Sequence, residues 1–164
     1  EVAVIKEVSG DILLSGAQVI AHGVAPDDHF NQGLALSLRE NYPAMAKDFR
    51  HYCHISHPTP GDVWAWAGAD GKRVVNLMTQ EPPPSKNAMP GKATSHNVNV
   101  ALRNLKHLAE EEGFTSIALP RLASGVGGMD WDEVRWLIDN QLGELDIPVY
   151  LYTNFEKGVA AAES

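Results

Sequence analysis

Three glycines lie in a short loop between an apolar segment and an amphipathic one, and this arrangement is suited to binding a phosphate. Residues 116–119 predict a short buried strand, and the loop at residues 124–128 follows it. Asp130, with Glu133 three residues later, predicts a capping box that opens a helix. Glycine lets successive N–H groups point into one concavity, and the helix N-terminus adds partial positive charge. The loop therefore predicts an anion site, although a turn that binds nothing has the same composition.

A second polar loop carries two carboxylates and a histidine side by side. Asp27, Asp28 and His29 lie between an apolar run at residues 17–21 and a segment of helical composition at residues 34–40. Histidine can transfer protons because its unperturbed pKa lies near neutral pH, and a carboxylate can orient a water molecule. The loop is therefore a candidate for acid–base chemistry, with a solvated surface loop as the alternative.

Four potential metal ligands occur close together, at His51, Cys53, His54 and His57. Structural zinc sites usually draw paired ligands from two separated segments, and no second Cys/His pair follows in the sequence. Histidines near the end of a helix are favoured by its dipole. We therefore interpret the histidines as surface residues and expect neither a metal site nor a cofactor.

The chain has 164 residues, a formal net charge of −8 and one cysteine. This length suits a single domain, which we assign to residues 1–158, followed by a flexible tail at residues 159–164. Binding to bulk nucleic acid needs a basic surface, so the acidic charge excludes that class, although one modified nucleotide could still be bound. The chain shows no membrane-spanning run, no secretory signal and no possible internal disulfide. We expect a cytoplasmic monomer without a membrane partner, although the sequence does not fix the oligomeric state.

The order of the predicted elements indicates how the loops are positioned. Strands are predicted at residues 2–8, 17–21, 62–67, 73–79, 116–119 and 147–153, and helices at residues 34–40, 44–52, 96–112 and 131–141. Ser95 is the expected N-cap of the third helix, and Gly113 its end. The order predicts an α/β fold with three layers, α/β/α, around a mixed, mainly parallel sheet in which the two strands of the hairpin 62–79 are antiparallel neighbours. Ligands of such sheets bind beyond the carboxyl ends of the strands, where the loops meet.

Residues 80–92 contain three consecutive prolines and fit no regular element. Consecutive prolines favour a stiff, extended segment. Long irregular loops in compact domains are often functional, so we interpret this proline loop as a lid, with a plain surface connection as the alternative.

Several separate stretches match one family in the same order. They are Gly10-Asp11-Ile12-Leu13, Ile20-Ala21-His22-Gly23, Gln32-Gly33-Leu34-Ala35, Val75-Asn76-Leu77-Met78-Thr79 and residues 119–131. On these motifs the chain resembles a macrodomain, the ADP-ribose-binding module. It is most similar to the branch that contains terminal ADP-ribose protein glycohydrolases and the antitoxins that remove ADP-ribose from DNA. The matching stretches extend over nearly the whole chain.

The resemblance implies where each part of ADP-ribose would bind. Asp11 matches the aspartate that accepts a hydrogen bond from the adenine amino group, with the Ile12 amide beside it. Tyr152 is the candidate to cover the adenine face, with Phe155 as the alternative. Residues 124–127 match the phosphate loop, and residues 32–35 match the loop along the terminal ribose. The predicted ligand-binding residues are Asp11, Ile12, His22, Asn31, Gln32, Gly33, Ala35, Arg121, Leu122, Ala123, Ser124, Gly125, Val126, Gly127, Tyr152 and Asn154.

The chain departs from the branch at the residues that do the chemistry. Many members have a lysine after the Asn-x-x-Thr stretch, and some use an acidic residue in the glycine loop. This chain has Gln80 and Gly127 at those positions. Glutamine cannot form a Schiff base, so we predict direct attack by water, with Gln80 and Asp28 as catalytic residues and the substrate phosphate assisting. Lys86, reaching in from the proline loop, is the alternative nucleophile.

Two functions follow from the resemblance. The first is an enzyme that hydrolyses the bond between ADP-ribose and a glutamate or aspartate side chain, or a nucleic-acid base. Its partners would then be ADP-ribose and ADP-ribosylated protein or nucleic acid. The second is a non-catalytic reader that binds free or attached ADP-ribose. The missing lysine and loop acid favour the reader, whereas the Asp27-Asp28-His29 cluster and the long loop favour the hydrolase, which we expect.

Overall fold

Along residues 5–164, the part of the chain that the computed structural model describes, strands and helices follow one another in the predicted order. Residues 2–4 of the predicted first strand lie outside the described residues. The strands are β1 (Ile5–Gly10), β2 (Val19–Val24), β3 (Val63–Ala67), β4 (Arg73–Met78), β5 (Ile117–Pro120) and β6 (Val149–Phe155). The helices are α1 (Gly33–Asn41), α2 (Pro43–Ser56), α3 (Ser95–Glu112) and α4 (Trp131–Leu142), with a 3-10 turn at Ile12–Leu14.

The strands form one mixed sheet, and their order explains which loops can meet. The order across the sheet is β1-β6-β5-β2-β4-β3. Strand β3 pairs antiparallel with β4, and the other pairs are parallel. The prediction of a mainly parallel sheet is therefore confirmed. The loops that follow the five parallel strands all leave from the same edge of the sheet, where a ligand site is expected.

Apolar side chains fill both faces of the sheet. Alternation along β4 sends Val75 to one face and Val74 to the other, as strand geometry requires. The first face packs against α3 and α4 through residues such as Leu102 and Ile138, which are fully buried. The second packs against α1 and α2 through residues such as Phe49. The predicted three-layer α/β/α arrangement is therefore confirmed.

Helix α3 is the long amphipathic helix that the sequence predicts. It spans 18 residues and buries Val98, Ala101 and Leu105 at helical spacing. It ends at Gly113, whose φ of 68° lies in the left-handed region, as predicted for a terminating glycine. None of the helices described within residues 5–164 is both long and apolar enough to cross a membrane.

Two helix starts differ from the sequence prediction because the helices contact each other. Thr94, rather than Ser95, caps α3, and its hydroxyl accepts a hydrogen bond from the Asn97 N–H at 3.1 Å. The Ser95 hydroxyl instead donates to the Glu133 carboxylate on α4. Glu133 therefore does not form the predicted capping box, and Asp130 caps α4 without a side-chain hydrogen bond.

Residues 159–164, predicted to be a flexible tail, lie against the body of the domain. The Glu163 carboxylate accepts hydrogen bonds from the Ser15 hydroxyl at 2.6 Å and from the Gly16 N–H at 2.9 Å. Ala161 packs against the hydrophobic cluster on the α1 and α2 face. These partners are distant in the sequence, so the small, polar composition of the tail gave no sign of them.

Truncating Leu102 tests the packing of α3 on the sheet. Leu102 is fully buried, so Leu102→Ala should lower the free energy of unfolding by about 3 kcal/mol through lost burial and the cavity left behind. Leu14→Ala is the matched control, because Leu14 is 51% exposed, and it should cost less than about 1 kcal/mol. Urea unfolding measures both, and equal losses would contradict the described core.

Candidate functional site

A cleft of about 490 Å³ opens at the carboxyl edge of the sheet. It lies between the loop that follows β2, the first turn of α1, the proline loop and the glycine loop at residues 124–128. The predicted site residues that line it are His22, Asp28, Asn31, Gln32, Gly33, Ala35, Gln80, Arg121, Leu122, Ala123, Gly125, Val126 and Gly127. Its lining also includes residues outside the predicted catalytic and ligand-binding sets, although His29 belongs to the predicted acid–base loop and several others to the proline loop. They are Gly23, His29, Leu34, Pro83, Asn87, Ala88, Met89, Pro90 and Pro120.

The proline loop forms one wall of this cleft, and its function as a lid stays a prediction. Its composition identified the segment, but not which side chains within it face the cleft. Met89 is one of them, and it remains 54% exposed. An apolar side chain at the rim can contact whatever group extends out of the cleft.

The glycine loop presents a row of free amide groups. Within residues 5–164, none of the five N–H groups from residue 123 to residue 127 donates a hydrogen bond. The loop is closed by the Gly128 N–H, which donates to the Gly125 carbonyl, and by the Met129 N–H, which donates to the Ala123 carbonyl, both at 3.0 Å. Ala123 has a φ of 64°, in the left-handed region. Consecutive unpaired N–H donors on a loop that lines the cleft and precedes the N-terminus of α4 can bind an anion.

Some members of the branch that this chain resembles carry an acidic residue at the position of Gly127. The backbone explains why no acidic side chain is present here. A Cβ atom at this residue would lie 2.6 Å from the Ala123 carbonyl oxygen. The Gly127 carbonyl also accepts a hydrogen bond from the Ala93 N–H at 2.9 Å, which ties the glycine loop to the base of the proline loop. The loop in this conformation therefore excludes a side chain at residue 127.

Gln80 fixes the base of the proline loop. Its side-chain Nε2 donates to the Gly91 carbonyl at 3.0 Å, and its backbone forms an antiparallel bridge with Ala93. Gln80 is buried and lines the cleft. Lys86, on the same loop, is exposed and is not among the residues that line the cleft. The geometry therefore brings Gln80, and not Lys86, to the site.

Asp28 presents a carboxylate whose orientation is fixed by the backbone. Its Oδ2 accepts from the Ala25 N–H at 3.0 Å and its Oδ1 accepts from the Phe30 N–H at 2.9 Å. Asp27 and Phe30 both have positive φ angles, of 60° and 56°, which are uncommon for residues other than glycine. Asp28 and His29 line the cleft, and Asp27 lies outside it. This strained turn therefore gives the cleft wall a fixed negative charge.

His22 is neutral at the floor of the cleft. Its Nε2 lies 2.7 Å from Asn76 Oδ1. Burial lowers the pKa of His22 to about 4, against smaller opposing effects from this hydrogen bond and from Asp28. Because the Asn76 oxygen can only accept, Nε2 carries the proton and Nδ1 is left as an acceptor.

The potential metal ligands near residue 53 do not converge. Cys53 is buried, and burial raises the pKa of its thiol. His51, His54 and His57 are exposed at the end of α2. Across residues 5–164, no group of three or more His, Cys, Asp or Glu side chains is arranged to hold a metal ion.

The rest of the predicted ligand-binding set is not part of the cleft lining, and these residues are Asp11, Ile12, Ser124, Tyr152 and Asn154. The Ser124 hydroxyl donates to the Arg121 carbonyl at 3.0 Å, so it stabilises the loop from within. Asn154 is exposed near the end of β6.

Tyr152 is 5% exposed and packs in the cluster on the α1 and α2 face. Its hydroxyl donates to the Glu163 carboxylate. Burial and this hydrogen bond raise the pKa of Tyr152 well above its usual value. Phe155, the alternative aromatic, is 66% exposed. The predicted adenine-binding residues therefore do not line the cleft, and Tyr152 bonds to the C-terminal segment through Glu163.

A family model for the Macro domain matches residues 28–138, more than half of the chain. The chain belongs to the Macro domain family. The resemblance drawn from the sequence motifs is therefore confirmed. The glycine loop and residues 28–32 of the loop before α1 fall within the matched region of this macrodomain.

Relatives and solved structures agree with this assignment. The macrodomain is 25% identical over 163 residues to the DNA ADP-ribosyl glycohydrolase of Mycobacterium tuberculosis, covering 94% of this chain and 44% of that protein. It is 23% identical over 150 residues to the ADP-ribose glycohydrolase OARD1 of Homo sapiens, covering 91% of each. The macrodomain of Thermus aquaticus DarG superimposes with a TM-score of 0.80 at 22% identity, covering 92% of this chain and 99% of that one, which shows a shared fold. This chain spans less than half the length of the DNA ADP-ribosyl glycohydrolases that it matches.

Adding a methyl group at Gly127 tests the close approach within the glycine loop. Gly127→Ala would force Cβ against the Ala123 carbonyl and should lower the free energy of unfolding by about 1–3 kcal/mol. Gly125→Ala is the control, because a Cβ there meets nothing within 4 Å, and it should cost less than about 1 kcal/mol. Urea unfolding compares the two, and equal stabilities would show that the loop is not constrained at residue 127.

The neutral state of His22 predicts a loss of stability in acid. In the unfolded chain His22 binds a proton below its usual pKa of 6.5, whereas in the folded protein it stays neutral down to a pKa of about 4. The free energy of unfolding should therefore fall by about 3 kcal/mol as pH drops through this window because of this residue.

Unfolding curves of wild type, His22→Gln and His54→Gln between pH 7 and pH 4 measure this effect. The His22→Gln variant should lose less stability in acid than wild type. The control His54→Gln, at an exposed position, should follow wild type. A His22→Gln curve parallel to wild type would contradict the lowered pKa.

Proposed function

We propose that this macrodomain binds ADP-ribose in the cleft and hydrolyses the bond that joins ADP-ribose to a protein carboxylate or a nucleic-acid base. The observation that carries the proposal is the row of free N–H groups at residues 123–127, which forms the cleft wall beside α4. Five neutral donors in one concavity match the diphosphate of ADP-ribose. Neutral donors also explain how a chain with a net charge of −8 can hold a doubly negative group.

The dimensions and remaining walls of the cleft support the same ligand. Its volume of about 490 Å³ lies in the range of small-molecule sites. The first turn of helix α1 begins at Gly33, which lines the cleft and has a φ of 61°, in the left-handed region that favours glycine. The terminal ribose is proposed to lie between this turn and His22, whose unprotonated Nδ1 can accept a hydrogen bond from a sugar hydroxyl.

The proposed reaction is direct attack by water on the anomeric carbon of the terminal ribose. The water oxygen bonds to that carbon, the bond to the modified group breaks, and the water proton passes to the leaving group or to solvent. The transition state resembles an oxocarbenium ion, which the fixed Asp28 charge and the substrate phosphate can stabilise. Gln80 is proposed to orient the water while its Nε2 holds the proline loop through Gly91.

Relatives named DNA ADP-ribosyl glycohydrolase and ADP-ribose glycohydrolase support a hydrolase and suggest ADP-ribosylated DNA as the first substrate to test. A single flipped nucleotide fits an acidic protein better than a long duplex does, because few phosphates would be contacted. A monomer acting in the cytoplasm remains our prediction for its state and location.

A non-catalytic reader is the second candidate, and one structural feature favours it. The backbone around Gly127 leaves no room for an acidic side chain, and the residues lining the cleft include no lysine. The site would then bind ADP-ribose through the same amides without cleaving the bond. The two functions share a ligand and differ only in turnover.

Release of ADP-ribose from DNA, glutamate, serine and arginine conjugates separates these functions. Wild type should release ADP-ribose from at least one conjugate, Asp28→Ala should be slower by about 100-fold, and Gln80→Ala by about tenfold. Calorimetric titration with ADP-ribose shows whether each variant retains an intact cleft, because Asp28 also accepts two backbone hydrogen bonds.

Lys86→Ala is the control for the alternative mechanism, since Lys86 lies outside the cleft lining. It should keep the wild-type rate within about twofold, and borohydride should trap no covalent adduct. A large loss of rate in Lys86→Ala would replace direct water attack with a lysine mechanism. If the protein binds ADP-ribose but releases none from any conjugate, the hydrolase is wrong and the non-catalytic reader is supported.

A further inference from the structure

The C-terminal segment occupies the end of the site where the resemblance places adenine. After β6, the chain turns back at residues 156–158 and lies over Gly10 and Asp11. The Glu156 N–H donates to the Gly10 carbonyl at 3.1 Å, and the Asp11 N–H donates to the Val159 carbonyl at 2.7 Å. These bonds join residues at opposite ends of the chain. The segment is therefore docked on the sheet edge beside the cleft.

The docked segment donates a hydrogen bond to the Asp11 carboxylate, the group that the resemblance assigns to the adenine amino group. The Asp11 Oδ2 accepts a hydrogen bond from the Gly158 N–H at 3.0 Å, and its Oδ1 accepts from the Leu13 N–H at 3.1 Å. Asp11 is only 7% exposed. An amide N–H of the chain thus takes the place of an N–H donor from a ligand.

The segment lies too close to the strand for a base to enter beneath it. A Cβ atom built on Gly10 would be 2.7 Å from the Val159 carbonyl oxygen and 2.8 Å from the Ala161 nitrogen. Gly10 also has a φ of 153°, a conformation that side chains rarely adopt. The absence of a side chain at Gly10 allows the segment to dock, so an adenine ring can reach Asp11 only when the segment moves away.

A few polar contacts hold the C-terminal segment on the domain. Its main anchor is Glu163, whose carboxylate accepts hydrogen bonds from Ser15, Gly16 and Tyr152. Most residues between 156 and 164 are exposed, and the segment contributes one alanine, Ala161, to the hydrophobic clusters. Little apolar surface holds it in place, so it can detach without unfolding the domain.

We propose that residues 158–163 form a strap that competes with the adenine moiety of ADP-ribose, so that the docked strap lowers affinity and ligand binding displaces it. The inference rests on the proposed function, because it needs ADP-ribose as the ligand. The fraction of molecules with the strap detached sets the apparent affinity. The amide row at residues 123–127 lies outside the strap and stays accessible in either state.

Hydrogen exchange of the wild-type protein tests displacement directly. Adding ADP-ribose should slow exchange of the amides at residues 123–127 and speed exchange of the Gly158 N–H, which loses its bond to Asp11. Faster exchange in the strap together with protection of the glycine loop supports competition. Protection of both regions, or an unchanged strap when ADP-ribose is bound, would overturn it.

Variants of the strap test its effect on affinity. Glu163→Ala removes the anchor and should tighten ADP-ribose binding by about fivefold in calorimetry. Ala161→Asp, which places a charge beside Gly10, should act in the same direction. Glu156→Ala is the matched control, because its carboxylate makes no hydrogen bond within residues 5–164, and it should bind as wild type does.

Ribose 5-phosphate distinguishes competition at the adenine end from a general change in the site. It has no base, so its affinity, measured by NMR titration, should be the same in wild type and Glu163→Ala. Equal ADP-ribose affinity in wild type and both strap variants would overturn the strap alone and leave the proposed function intact. Absence of ADP-ribose binding in every variant would overturn the proposed function, and the strap with it.

Discussion

The close approach of the backbone at Gly127 to the Ala123 carbonyl is the constraint on which the rest of the site depends. It fixes the glycine loop in a conformation whose N–H groups remain unpaired, so the loop can bind an anion. It removes any side chain at residue 127, so the chemistry must come from elsewhere. The Gly127 carbonyl also accepts from Ala93, which ties the position of the proline loop to the same turn.

The electrostatics of the cleft follow from this arrangement. In the function we propose, neutral amides attract the phosphate groups. His22 stays neutral because burial lowers its pKa. Asp28 is then a fixed charge in the wall, and two backbone N–H groups hold it in place. A fixed carboxylate beside neutral donors can stabilise developing positive charge on a sugar without repelling the diphosphate from its own binding loop.

Two ends of the expected ligand site differ in the structure. The cleft, where we propose that the diphosphate and ribose bind, is open, whereas Asp11, where we propose that adenine binds, accepts a hydrogen bond from Gly158 of the C-terminal segment. Because the covering segment buries little apolar surface, its contacts can exchange for those of a ligand at small cost. The affinity for ADP-ribose would then depend on residues of the C-terminal segment, which do not line the cleft where the bond is proposed to break.

The sequence determined the elements, their order and the loops that meet at the sheet edge, because these depend on local periodicity and on glycine and proline positions. It also identified most of the cleft, since the motifs around His22, Gln32 and Gly125 are continuous segments. Only the tertiary structure decided the cap at Thr94, the contact of Gln80 with Gly91, and the docking of Glu163 on Ser15. Three of these contacts join residues that only folding brings together: Gln80 with Gly91, Glu163 with Ser15, and Glu133 with Ser95. No local sequence pattern encodes such contacts.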